Sequence, residues 1–160
     1  MMHPSKLSIG IFAGIALACA AGATATHEAP NSGPRLTIDR TGHSLTGKAS
    51  FYAARYSGRT MADGTPMHLY SNNAASLTLP LGTVAKVTNL ETGKSAIVTI
   101  RDRGPYIKGR IVDLSPVTAA KIGIDRRKGI AMVKVAPLSI PQLDGTVWTV
   151  PNAPLVAIDN

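Results

Sequence analysis

The 160-residue chain has one cysteine, one tryptophan, two phenylalanines and four tyrosines, and its nine carboxylates stand against 17 lysines and arginines. Each shortage excludes something. A lone cysteine, Cys19, forms no disulfide within the chain and cannot build a thiolate metal site. The four histidines, His3, His27, His43 and His68, include no spaced pair with an acid, so no metal centre is expected. That poor supply, together with Ser50, Ser57, Ser76 and Ser95 lacking a G-x-S-x-G elbow, argues against a Ser-His-Asp hydrolase. Glycines 47, 58, 64, 82, 93, 104 and 109 are scattered at turns rather than gathered in a phosphate loop, and no cofactor is expected. The net charge of +8 comes without a Cys/His finger, an aromatic nucleic-acid motif or a recognition helix, which argues against nucleic acid as a partner.

A long apolar run is also missing. The run LSIGIFAGIALACA after Lys6 falls short of the roughly 18 to 20 apolar residues of a spanning helix, and small-residue sequences follow it at 21–25. Residues 1–25 therefore read as a signal peptide. Two readings of its end stay open. Cys19, preceded by Ile15, Ala16, Leu17 and Ala18, is acylated as in a lipoprotein, giving an outer-membrane lipid anchor, or the chain is cut after Ala23 or Ala25. A lipobox usually has Leu where Ala16 stands. Either way the expected location is the periplasm, the periplasmic face of an outer membrane, or outside the cell. Beyond Ala25 the chain keeps 16 Lys and Arg against 9 Asp and Glu, a net of +7, which suits anionic lipid and the acidic polymers and peptides of a cell wall.

Residues 26–46 are polar, rich in Pro, Gly and Thr, and read as a flexible linker. The domain is expected at 47–138. Strand patterns occupy 48–52, 79–90, 95–100, 110–114 and 129–138, whereas 54–73 is turn-rich without a repeated apolar pattern. Glu91-Thr92-Gly93-Lys94 reads as a hairpin connection. In SPVTAAKIG, Ser115 is placed to cap a helix, Pro116 to open it and Gly123 to end it. Residues 139–160 read as a C-terminal strand, at 145–150, and a tail. Many short strands with one or two short helices predict a mainly β fold, a barrel of about 90 to 100 residues.

Five segments carry a resemblance in order and spacing: GKASFY at 47–52, GRTMADG at 58–64, NAASLTLPLGT at 73–83, VTNLETGK at 87–94 and DRGPYIKGRIVDLS at 102–115. They match the patterns G-x-A-S-[WYF]-Y, G-R-x-T-A-[NS]-G with Met61 for the usual Thr, and T-A-A-H-x-T-L-P-L-G-T. The chain thus resembles the rare lipoprotein A (RlpA) family, whose members are similar to endolytic peptidoglycan transglycosylases built on a six-stranded double-psi β-barrel. The implied partner is the peptidoglycan glycan strand. The implied reaction is lytic: a glycosidic oxygen is protonated and the muramic acid 6-hydroxyl attacks its own anomeric carbon, leaving a 1,6-anhydro end, so one carboxyl group can act as acid and base in turn. The alternative is a non-catalytic, expansin-like polysaccharide-binding domain.

By the resemblance, Asp102 of DRGP is the catalytic acid. Donating a proton near neutral pH requires burial, while the flanking Arg101 and Arg103 favour the charged form if they point toward it. Asp113 is a supporting carboxylate with Arg103 or Arg110 as partner. Ser76 stands where the family pattern has a histidine across the groove, and it can hydrogen-bond to sugar without exchanging a proton. His68 is the nearest histidine. Tyr52 and Tyr106 are groove aromatics, with Tyr106 beside Gly104-Pro105 preferred, and Arg101, Arg103 and Lys108 can meet lactyl or peptide carboxylates.

Overall fold

The computed structural model of the protein describes residues 37–151. The expected signal peptide with Cys19, its two cleavage points and the end of the tail lie outside the described residues. In chain order the strands are β1 (Leu45–Phe51), β2 (Asn73–Ala75), β3 (Val84–Asn89), β4 (Ser95–Asp102), β5 (Arg110–Leu114), β6 (Ala131–Pro141) and β7 (Val147–Thr149). One short helix, α1 (Pro116–Lys121), follows β5, and a 3₁₀ turn occupies Ala54–Tyr56.

Alternation builds the wall. Along β4, Ala96, Val98 and Ile100 are buried; β3 contributes Ala85 and Val87, β5 Val112 and Leu114, and β6 Val133 and Val135, the period of two that gives each strand one core face. Full burial of each Val, Leu or Ile contributes about 1.5–3 kcal/mol. The strands run in the order β1-β5-β2-β4-β3-β6, and β1 also pairs with β6, so six strands close on themselves. β7 is an addition, paired with β6 from Ser139↔Thr149 to Pro141↔Val147. Gly47 opens the contact between β1 and β5, since a Cβ there would sit 2.7 Å from Ile111 Cγ2.

The helix closes one end of the core. Ser115 Oγ accepts from the Thr118 amide at 3.2 Å and Pro116 fills the first turn, where a missing N–H costs nothing. Ala119 and Ile122 join the core cluster. The Ile122 carbonyl, left over past the end of the helix, accepts from the buried Asn89 side chain at 3.0 Å and from Thr92 Oγ1 at 2.9 Å.

Two local readings change. The strand expected over 79–90 begins only at Val84, because Thr83 N donates to Pro80 O in a turn through Gly82, whose φ is +84°. The turn-rich stretch ends in a strand, β2, whose Asn and Ala residues have weak β-propensity and are held by pairing with β4 and β5.

Candidate active site

Strand register assembles the site. β1 and β5 run parallel, as do β2 and β4, so the ends of four strands meet at one rim. Across that rim the aligned residues are Ser50 on β1, Asp113 on β5, Ala75 on β2 and Asp102 on β4. One strand separates the two acids, which places their backbones about 10 Å apart at about 4.8 Å per strand. Ala75 between them is buried and offers only a methyl group.

Asp102 is fastened on both oxygens. The Tyr52 hydroxyl donates to Oδ2 at 3.0 Å; the backbone amides of Ala62 and Arg103 donate to Oδ1 at 3.0 and 2.8 Å. Burial first, and then the Asp102 charge, holds the Tyr52 phenol far above its usual value, so Tyr52 serves as a donor. Neither flanking guanidinium pairs with Asp102. Arg103 Nη1 donates instead to the carbonyls of Ser76 and Leu79, at 2.9 and 2.7 Å, and Arg101 Nη1 binds Asp63 Oδ2 at 3.0 Å, the one ion pair among the described residues.

Asp113 has a different setting. Ser50 Oγ donates to Asp113 Oδ1, and Arg110 Nη1 donates to Ser50 Oγ at 3.3 Å. Burial pushes the Asp113 carboxyl above the ordinary carboxylate value; the Ser50 hydrogen bond and the Arg110 charge oppose this, and the Asp102 charge adds to it. Of the two expected partners, Arg110 reaches Asp113 through Ser50, whereas Arg103 is committed to its carbonyls.

Both acids line a cleft of about 400 Å³, together with Ser50, Tyr52, Arg55, Tyr56, Arg103, Tyr106 and Arg110. Tyr56 meets Tyr52 edge to face at 6.0 Å between centroids, and the guanidinium groups of Arg55 and Arg59 stand 5.2 and 5.5 Å from its centroid. Past Arg103 the chain turns at Gly104, with φ +134°, into a cis peptide before Pro105, and Tyr106 stands 76% exposed on the rim. A basic, partly aromatic border around two carboxyls suits an anionic sugar polymer.

Other expected residues lie elsewhere. Ser76 is 1% exposed, and its hydroxyl accepts from the amides of Thr78 and Leu79 within its own turn, at 3.4 and 3.3 Å. Its backbone N–H does reach the site, donating to the Asp102 carbonyl at 3.1 Å. His68 and Arg101 line a separate depression with Met61, Thr65 and Asn72. Lys108 is not part of the cleft wall. Sequence reasoning missed Ser50 and Arg55 as cleft residues. The first lies in the GKASFY motif, a signal that could have found it, while Arg55 sits in a turn with no pattern of its own. Among the described residues no cluster of His, Cys, Asp or Glu is arranged to hold a metal.

The family described as lytic transglycolase matches residues 44–135, from β1 into the first half of β6 and including every cleft residue. The chain belongs to this family. Its six-stranded wall is the double-psi β-barrel of the lytic transglycolases. The chain is similar to the endolytic peptidoglycan transglycosylase RlpA of Vibrio cholerae, 39% identical over 106 residues, covering 66% of this chain and 40% of that one. It is also similar to RlpA of Pseudomonas aeruginosa strain UCBPP-PA14, 42% identical over 97 residues, covering 61% of this chain and 28% of the relative. The chain therefore spans less than half the length of these curated relatives. Among solved structures, the expansin of Clavibacter michiganensis aligns with a TM-score of 0.45 at 21% identity, over 59% of this chain and 50% of that one.

Proposed function

We propose that the protein is an endolytic lytic transglycosylase that cuts peptidoglycan glycan strands outside the cytoplasm and leaves 1,6-anhydromuramyl ends. Membership of the lytic transglycolase family and similarity to proteins named for this activity support the reading. The observation that carries it is the meeting of two carboxyls of unlike setting in one cleft, Asp113 half-buried beside a hydroxyl and Asp102 fastened by three donors. Export, with either acylation of Cys19 or cleavage after Ala23 or Ala25, belongs to the same proposal.

The family resemblance assigns both proton transfers to Asp102. The geometry supports a division of labour. Asp113, which holds its proton more readily than an ordinary carboxyl, donates it to the glycosidic oxygen as the bond to the anomeric carbon breaks. Asp102, oriented on both oxygens, supplies negative charge to the cationic sugar that develops. The muramic acid 6-hydroxyl then attacks the anomeric carbon and returns its proton to Asp113. No water is consumed, so neither acid has to activate one. Arg55, Arg103 and Arg110 give the border positive charge for lactyl or stem-peptide carboxylates, and Tyr106 offers a ring face to sugar.

The purified protein incubated with intact and with amidase-treated peptidoglycan should release anhydromuramyl products detectable by mass spectrometry. Asp113→Asn and Asp102→Asn should each lower their rate by about 10²–10⁴-fold. A second reading, an expansin-like wall binder, is favoured by the buried Ser76 in place of the family histidine, which leaves no histidine in the cleft wall among the described residues. Sedimentation with the wall, without products and without dependence on either acid, would select it.

A further inference from the structure

We infer that Asp63 and Arg101 are positioning residues for Asp102, clamping a hairpin tip whose Ala62 amide donates to the Asp102 carboxylate. The consequence for turnover rests on the proposed role of Asp102 in the reaction; the geometry does not.

Residues 58–67 form a ribbon outside the barrel strands. Gly58 N donates to Met67 O at 2.9 Å, Met67 N to Arg59 O at 2.8 Å and Met61 N to Thr65 O at 2.8 Å, with a bridge between Thr60 and Pro66. The ribbon turns at Ala62, Asp63 and Gly64, where Gly64 has φ +85°. Asp63 closes this turn by accepting from Thr65 N and Thr65 Oγ1 on Oδ1, at 2.9 and 2.6 Å. Its other oxygen is left for Arg101 at 3.0 Å, and its amide donates to the Arg101 carbonyl, also at 3.0 Å.

The tip thus grips one strand residue by side chain and backbone, and it delivers Ala62 N–H to the neighbouring residue, Asp102, at 3.0 Å. Arg101 and Asp102 are adjacent on β4, at the step where its register against β2 shifts from Ala74↔Ile100 to Ala75↔Asp102, and the tip bonds to both. Burial of Asp63 opposes ionisation, but the hydrogen bonds from Thr65 and Arg101 outweigh it and hold the carboxyl below its usual value. With side chains 43% and 19% exposed, the pair adds little to global stability. Its effect is local. Without it nothing else ties Asp63 to β4 except a single amide, and the donor on Asp102 Oδ1 loses its anchor.

The test follows hydrogen exchange of the Ala62 amide in ¹⁵N-labelled protein. In the unmodified protein this amide should be protected by its bond to the Asp102 carboxylate, a response identified by its loss in Asp102→Ala. In Asp63→Asn, which keeps the shape and the Thr65 contacts, and in Arg101→Gln this Ala62 response should fall by more than about half. Arg101→Lys, which retains the charge, should restore part of it, and the double variant should be no worse than either single one. Product formation should fall about tenfold in kcat with KM unchanged, while the unfolding temperature stays within about 2 °C. An undiminished Ala62 response in Asp63→Asn and Arg101→Gln, or additive losses in the double variant, would overturn the clamp whatever the activity. Loss of the response with product formation unaltered, or absent throughout, would uphold the clamp and remove Asp102 from the proposed chemistry.

Discussion

The Tyr52 hydroxyl, one residue past the end of β1 and fifty residues earlier in the chain, reaches Asp102 Oδ2 across 3.0 Å, and its ring stands edge to face against Tyr56. This contact ties β1 to the end of β4 and fixes one oxygen of the carboxylate. Tyr52→Phe keeps the ring and removes the donor. Asp102 would retain its two amide donors on the other oxygen, so the fold should survive at a cost of about 1.5–3 kcal/mol, the range for a hydrogen bond to a charged group. Urea unfolding measures that cost. If Asp102 acts on the developing charge, kcat should drop about tenfold while KM stays in place. A loss confined to stability would make Tyr52 a structural prop.

Asp113 gives a pH-dependent prediction. Burial makes the folded chain hold this proton more tightly than the unfolded chain does. The resulting stability is fully present below the ordinary value of 3.8 and is lost as pH rises through the folded value, because ionising a half-buried carboxyl is unfavourable. Asparagine cannot ionise, yet its carbonyl can still accept from Ser50. Asp113→Asn should therefore unfold at a higher temperature than the unmodified protein near pH 7, and the difference should close near about pH 3. Thermal scans at the two pH values decide it. A variant less stable at neutral pH would show that the Ser50 and Arg110 contacts outweigh burial.

Local pattern makes much of the fold legible in the sequence, and the rest divides by sequence separation. β6 is legible because Val133 and Val135 alternate with Met132 and Lys134, and the first pair is buried while the second is exposed. The cap, first turn and stop of α1 lie within nine residues, where local chemistry suffices. β2 is not legible, since Asn73, Ala74 and Ala75 are strand residues only through partners on β4 and β5. DRGP marks the cleft. The partners of its arginines stay hidden, because Asp63 is 38 residues from Arg101, and the carbonyls that hold Arg103 carry no side-chain signature. Asp113 reads as a supporting group in the sequence because the desolvation that raises its carboxyl above the ordinary value arises only when the strands close.

Ser76 tests how far a motif position can be read as a function. Its hydroxyl faces the amides of Thr78 and Leu79 and is withdrawn from the cleft, while its backbone serves Asp102 and Arg103. Ser76→Ala leaves that backbone in place and removes only the turn contacts. It should lower stability by about 0.5–1.5 kcal/mol and leave KM and kcat unchanged. A rise in KM would mean that the hydroxyl turns outward to meet sugar.

Tyr106 presents the opposite case. It is 76% exposed beside the Gly104 turn, so truncation removes little packing, and Tyr106→Ala should shift stability by no more than about 0.5 kcal/mol. Its position on the rim of the cleft gives it another use, as a flat apolar face for a sugar ring. A contact of about 1 kcal/mol, typical of an aromatic pairing, corresponds to about fivefold in affinity. A ring that holds a sugar unit other than the reacting one contributes equally in ground and transition states, so KM should rise about fivefold with kcat unaltered. Saturation kinetics on soluble glycan fragments separates the two parameters. A fall in kcat instead would place the ring against the reacting sugar.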